Sequence, residues 1–556
     1  MKRIFTLLML AALTVGVMSA EWKPSDTEAI RLDAEGTGGQ VQMKSLRTDD
    51  GKIILSWLRG ERVDGAFSYV LHLQVFDANG DAMFGDEGVI VRNKPSRSWT
   101  TDYALALAPN GDILLAIEDV RNDVENEESS EVYYYRYNQQ GQPVWDADGL
   151  HFAIPKAHEN AFLTEDMSSQ ICVSGDNIFL AAFHNEYYME EANEDNWQPS
   201  PWFPNQQMPD SVQVNSGAWN VVLLNEDGTI ASEEPLLLDS KILSMNPAPE
   251  GNVYAVYDNE LLGLDAQLLN ANMQNVWETP LTIEERSLSS GMYMPTPLTC
   301  INENENLMLS YRVLTSFYGY QVVNYLTPEG DYAREAVSLN GSIDGDAGSA
   351  AMGAKENRAF VAWEWAYSGS ANYMNVNVVD DYNNYFWTGE ETYGVSLDFN
   401  EDWGFTPVKV IPVEDGWVVL YGNCTSWNGA NFMVVKVDEF GVVMWTKQIC
   451  EENFKSSGFS VVYDDKNAYI FYTQETQYDD DWNEIPGSAG MFVMCVDISG
   501  QEGGDTMIDE LETTSKVNSI EIYTIDGRRV NELVNGVNII RTTDENGVVT
   551  TKKVLN

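Results

Sequence analysis

Leu73-Gln-Val-Phe-Asp-Ala-Asn-Gly80 runs on to Met83-Phe-Gly-Asp-Glu-Gly-Val-Ile-Val91, and about sixty residues later Tyr135-Arg-Tyr-Asn-Gln-Gln-Gly141 runs on to Val144-Trp-Asp-Ala-Asp-Gly-Leu-His-Phe152. Each stretch reads as an alternating strand, a glycine turn, an aromatic residue, an acidic-Gly corner and a second strand. Looser versions follow at Val221 to Gly228, Leu268 to Trp277, Val322 to Gly330, Val434 to Trp445 and Val493 to Gly500. A second hairpin precedes each of these. Its turns are Asp50-Gly51, Asn110-Gly111, Gly175-Asp176, Glu250-Gly251, Asn304 to Asn306, Lys355 to Asn357, Asp415-Gly416 and Asp465 to Asn467. Each turn leads into an apolar β run such as Ile53 to Trp57, Ile113 to Ile117 or Trp417 to Tyr421. Asn-Gly and Asp-Gly between such runs mark tight hairpins, because those turns need positive φ.

Double hairpins recurring at this spacing are four short antiparallel strands per unit. A lone four-stranded sheet cannot bury both faces, whereas sheets stacked around an axis can. The expectation is therefore an all-β chain, with a β-propeller of about eight four-stranded blades from Val41 to about Ser499. Seven blades is the runner-up count, since the sixth unit, Asn375 to Leu397, is degenerate. Tandem β-sandwiches are the competing architecture; they call for long polar linkers every hundred residues or so, and none occurs before residue 500. The domain reading is a signal peptide at 1–20, the propeller at 21–500, a Gly- and acid-rich linker at 501–516 and a small β module at 517–556.

The two ends read as export signals. Lys2 and Arg3 precede an uncharged, mostly apolar run from Ile4 to Val17, and the small residues Ser19 and Ala20 precede Glu21. That three-part layout is a cleavable secretory signal, and its apolar run is too short to span a bilayer. No later stretch reads as a membrane span. At the other end, Ile520-Glu-Ile-Tyr-Thr-Ile-Asp-Gly-Arg-Arg-Val530, Asn535-Gly-Val-Asn-Ile-Ile-Arg541 and Thr551-Lys-Lys-Val554 resemble the type A sorting domain of type IX secretion. The residues that carry the resemblance are Tyr523, Asp526, Gly527, Arg528, Arg529 and Val530 in the first hairpin, Gly536, Asn538 and Ile539 in the next strand, and the final pair Lys552 and Lys553. It covers about 40 residues of the chain, at its very end. It implies delivery to the outside of a Gram-negative cell, with the outer-membrane translocon as partner and the protein extracellular or at the outer-membrane surface.

Composition narrows the function classes. The chain carries 32 Lys plus Arg against 86 Asp plus Glu, a net charge of −54. Residues 512–556 are balanced, with six of each sign, so the central region carries the whole excess. A field of that sign repels nucleic acid and anionic membranes and suits cations or basic partners. A hydrophobic content of 44% with 11% aromatics is ample for a large core. Five cysteines do not make a disulfide framework. Cys172 and Cys300 sit in apolar strand-like runs as small hydrophobes, and Cys424 could pair with Cys450 if their strand ends meet.

Catalytic signals are thin. The four histidines His72, His151, His158 and His184 form no zinc motif, and neither a nucleophile elbow nor a phosphate loop appears. Asp-rich runs at 344–346 and 479–481 lack the Ca²⁺-loop spacing. No cofactor and no metal are expected. In four-stranded blades the first-second and third-fourth turns share one face, and here they are uniformly tight. The second-third loops, on the other face, range from near nothing at Asp258-Asn259 to an insertion from Glu186 to Ala218. Variation on one face of a rigid scaffold is where binding resides. Those loops carry Tyr187, Tyr188, Trp197, Trp202 and Phe203 in the insertion, Trp365 and Tyr367 in the sixth blade, Trp427 in the seventh, and Tyr478 and Trp482 in the eighth. Aromatic rings beside amides and carboxylates suit sugar rings and peptide side chains. The reading is a non-enzymatic module that binds glycan or protein. The alternatives are a polysaccharide- or peptide-cleaving enzyme with its site in the propeller mouth, and a structural surface-layer component.

Overall fold

The computed structural model describes residues 29–33, 40–63, 65–85, 87–96, 103–122, 129–152, 154, 157–194, 196–198, 206–231, 235–238, 240–259, 263–285, 297–314, 319–339, 346–366, 372–381, 394–426, 429–454, 459–474, 489–499, 517–524, 529–530, 537–544 and 549–555. The chain divides into two compact units, 1–499 and 500–556. The first is an eight-bladed propeller of antiparallel sheets. The only helix among the described residues is the single 3₁₀ turn Pro249–Gly251. Blade 1 shows the common order, Gln40–Arg47, Ile53–Val63, Ala66–Phe76 and Val89–Arg92, each strand paired with the next. The sixth unit, expected to be degenerate, has a full complement: Asn372–Asp380 and Val395–Asn400 supply its third and fourth strands. Blade 2 is the thin one, where the outermost strand shrinks to bridges such as Tyr134 with Leu150.

The first strand of each blade lies innermost and the fourth outermost. The middle strands are covered on both faces by neighbouring blades, so they read as continuous buried runs: Ile53 to Leu58, Ile113 to Ile117, Phe360 to Trp363. The core is correspondingly a set of inter-blade layers. Leu71 and Leu73 meet Ile113 and Tyr135 between blades 1 and 2. Phe179 and Trp219 meet Val253 and Tyr257 between blades 3 and 4. Met308 and Tyr325 meet Ala359 and Trp363 between blades 5 and 6. The largest layer joins Leu420 of blade 7, Phe471 and Met494 of blade 8, and Ile53 and Trp57 of blade 1, which closes the ring. Two hydrogen-bonded pieces seal that closure. Ser45 Oγ lies 2.7 Å from Ser460 Oγ on the inner strands. On the outside, Ile30–Arg31 pairs with Val493 and Phe492 as the fourth strand of blade 8. Arg31 donates to Ala489 O at 2.6 Å, and Asp33 Oδ1 accepts the Met491 N–H at 3.1 Å. The ring therefore begins before Val41, with a strand ahead of blade 1.

The repeated sequence motif has a local cause. Asp77 Oδ1 accepts the backbone N–H groups of Asn79 and Asp81 at 2.9 Å each, capping the third-fourth turn from within. Asn138, Asn270 and Asp438 do the same in blades 2, 4 and 7. The aromatic that follows docks on the next blade. Phe84 lies against Gly141, Trp145 against Gly228 and Trp277 against Gly330. Trp277 Nε1 also donates to Pro328 O at 2.8 Å. These glycines have φ of +75° to +86°, and a Cβ there would meet the ring edge or face. Blade 4 keeps the Asn cap and the docking Trp and departs only at the glycine position. Its turn carries Met273 at φ 60°, with the side chain buried in the layer shared with blade 3.

Of the cysteines, Cys172, Cys300, Cys424 and Cys495 are free thiols, and the Cys450 side chain lies outside the described residues. Burial pushes Cys172 and Cys300 up to about 12, which suits packing rather than chemistry.

The second unit is a four-stranded antiparallel sheet. Val517–Thr524 lies between Arg529–Val530 and Val537–Asp544, and Val549–Leu555 completes the order. Its register sets Tyr523 opposite both Arg529 and Ile539, and Ile539 opposite Lys553. Asp526, Gly527, Arg528 and Gly536 lie outside the described residues.

Candidate functional site

The insertion in blade 3, expected as a loop, is strand at both of its ends, 186–191 and 211–218. Asn177–Glu191 and Ser211–Leu224 stay paired from Ile178 with Leu224 out to Glu191 with Ser211. The part beyond Tyr187, where pairing with the blade's first strand ends at Leu163, is a two-stranded arm projecting from the face that carries the second-third loops. Alternation explains it: Val212 and Val214 are half-buried, while Ser211, Gln213 and Asn215 are exposed. At its root Gly217 has no side chain because the Phe183 ring occupies that space.

A histidine–carboxylate cluster fastens the root. His184 sits between Asp166, at 2.5 Å from Nδ1, and Glu186, at 3.2 Å from Nε2. Glu186 is 1% exposed and fully engaged. Its Oε1 also accepts the Ala157 N–H at 2.7 Å, and its Oε2 accepts the His158 N–H at 2.9 Å and lies 3.0 Å from His158 Nδ1. The His158 ring stacks on Tyr188, centroids 3.9 Å apart. Tyr187 donates to Glu165 Oε2 at 2.8 Å. Burial pulls the His184 pKa down, but its bonds to Asp166 and Glu186 outweigh that and leave it raised. Burial likewise pushes Glu186 up, and the Ala157 and His158 N–H groups with both histidines hold it below the ordinary carboxylate range. The cluster ties segment 157–160 to the arm and spends its acids and bases on one another. Among the described residues, no group of three His, Cys, Asp or Glu is disposed to hold a metal ion.

Of the ligand-site aromatics named from the sequence, Tyr187, Trp197 and Trp365 fall among the described residues. Tyr187 and Trp197 are half-buried on the arm and its loop, where the Trp197 N–H donates to Asn193 O at 3.1 Å. Trp365 is not an exposed platform. It is 7% exposed, packed into the layer between blades 5 and 6 beside Tyr373, because its strand position points between blades. Trp202, Tyr367, Trp427 and Trp482 lie outside the described residues. Sequence reading passed over Asp166, His184 and Glu186. The available signal was the alternation of His184 and Glu186, which puts both on one strand face.

No family model and no curated protein matches the chain. Among solved structures it is similar to a Dyadobacter fermentans protein of unknown function (12% identity, 64% of this chain and 98% of that one, TM-score 0.32). It is also similar to a puromycin hydrolase (12%, 82% and 62%, 0.37) and to the polysaccharide lyase Uly1 (10%, 83% and 90%, 0.36). Likeness this loose carries no argument about activity. No helix among the described residues is long and apolar enough to cross a membrane.

Proposed function

We propose that this chain is an exported, non-enzymatic binding module for a glycan or protein, with the arm of blade 3 as its binding element. The observation that carries this reading is the arm itself: a paired extension of one blade, anchored by a saturated buried cluster, on the variable face of a rigid ring. Export rests on the N-terminal signal layout of residues 1–20 and on the likeness of 517–556 to a type IX sorting domain. The acids and bases in the cluster are engaged with each other, which favours binding over catalysis.

The test has two parts. A mature chain lacking 192–210 should keep the propeller melting transition and lose retention on whichever surface glycan or protein the intact chain captures. Unchanged capture would sink the arm's role. In a host with a type IX translocon, removing 517–556 should leave the chain in the periplasm, and surface display of that truncation would sink the sorting role.

A further inference from the structure

Among the described residues, much of the outer side of the third strand of blade 3 has no strand beside it. The fourth strand, Leu236–Leu238, pairs only with Trp219, Asn220 and Val221. Ser211 to Ala218 therefore present an edge eight residues long, and among the described residues no strand pairs with it on that side. In blades 6 and 7 the fourth strand follows the third much further out: Asn400 reaches Asn372, and Phe454 reaches Ala430. Uncovered edges are ordinarily protected by lysines, prolines or bulges. This one has none of them, and its register with the neighbouring strand is unbroken.

Charge says what would add there. Between Ala157 and Ser240 there are fifteen Asp and Glu and no Lys or Arg. Near the arm tip Glu190, Glu191, Glu194 and Asp210 are exposed. Val212, Val214 and Tyr188 are half-buried along one face, where Tyr188 pairs with Val214 and Glu190 with Val212. A second copy of this chain would bring the same negative edge and be repelled. A sugar ring would need open aromatic faces, and one Tyr188 face is already taken by His158.

We infer that the Ser211–Ala218 edge takes up an extended polypeptide as an added strand, one that alternates apolar residues with Lys or Arg. This deepens the binding-module reading and rests on it. The main-chain ladder supplies affinity, and the carboxylates at the tip select the basic side chains.

The experiment uses the mature full chain and three probes: an eight-residue peptide alternating Lys with Val and Thr, the same peptide N-methylated at every second residue, and a panel of neutral oligosaccharides. The first peptide should bind and slow amide exchange across 211–218. N-methylation should weaken it about tenfold, the worth of one or two net hydrogen bonds. Glu190→Lys with Glu191→Lys should weaken it by a similar factor, about tenfold, whereas Glu226→Lys with Asp227→Lys, on the opposite face, should not. Equal binding of both peptides, or equal loss in both double variants, would mean diffuse charge attraction and overturn the inference. Absence of peptide binding would overturn it too. Slowed exchange of the same amides by an oligosaccharide would overturn it while leaving the binding-module reading standing; loss of all capture on removing 192–210 tests that reading separately.

Discussion

Gly330 and Gly51 share a positive φ, +86° and +84°, but only Gly330 lies under a ring: a Cβ there would come 2.9 Å from the Trp277 indole. The two positions separate backbone strain from packing. Gly51→Ala should cost about 1 kcal/mol, the strain of a left-handed alanine. Gly330→Ala adds overpacking, about 1–3 kcal/mol more. Urea melts of the two variants measure the gap, and equal midpoints would refute the docking account. Histidines set the pH response at this scale. His72 is 2% exposed against Trp57, and burial lowers its pKa to about 4 from 6.5. Its unfolded state takes up a proton first, so stability is full above about pH 6.5 and falls by about 3 kcal/mol as pH drops toward 4. His184 has the opposite sign: its pKa is raised, so its contribution is present below 6.5 and fades as pH rises through the folded value. Thermal melts from pH 4 to 8 on the wild type and His72→Phe should show the acid slope shrinking in the variant. A slope left intact would assign the acid sensitivity elsewhere.

The elements of the propeller are hairpins, and their turns were legible because turn chemistry is local. Asp77, Asn138, Asn270 and Asp438 bond their own turns within four residues, so the same Asp or Asn announces each one. The arm of blade 3 was less legible. Glu186 to Ala218 is long and polar and read as a loop, yet its two ends pair for six residues past Asn185, to Glu191 with Ser211. Its anchor depends on Glu186, which accepts bonds from segment 157–158 and from His184. Glu186→Gln keeps the shape and gives up the charge-assisted bonds, each worth about 1.5–3 kcal/mol. The expected result is faster chymotryptic cleavage at Tyr187, Tyr188 and Trp197 with little change in global melting. Trypsin would be blind to this, since the stretch has no Lys or Arg. Unchanged cleavage would show the cluster to be dispensable for the arm.

At the scale of the molecule, two features oppose each other. The ring is closed by an outer strand of two residues, Ile30–Arg31, and by the inner Ser45–Ser460 contact. A net charge of −54 pushes the blades apart. A chain begun at Gln40 loses the outer seal and should melt at a clearly lower temperature, by about 2–4 kcal/mol in stability. Raising salt from about 10 mM to about 500 mM shortens the Debye length from about 30 Å to about 4 Å and should recover part of the loss. A truncated chain that melts like the full one would mean that the inner layer alone holds the ring.

Sequence was sufficient for the all-β class and the eight blades, because each blade repeats its own turns and its own buried middle strands, both short-range properties of the chain. It was silent on the closing strand, since Ile30 meets Val493 across more than four hundred residues and two paired residues leave no pattern. It misplaced Trp365 as an exposed ring, because an aromatic on a strand looks alike whether it faces solvent or the next blade. The cluster of Asp166, His184, Glu186 and His158 likewise appeared only in three dimensions, where the arm and the link between blades 2 and 3 are brought together. Local chemistry is written along the chain; which surfaces are covered depends on what the ring places beside them.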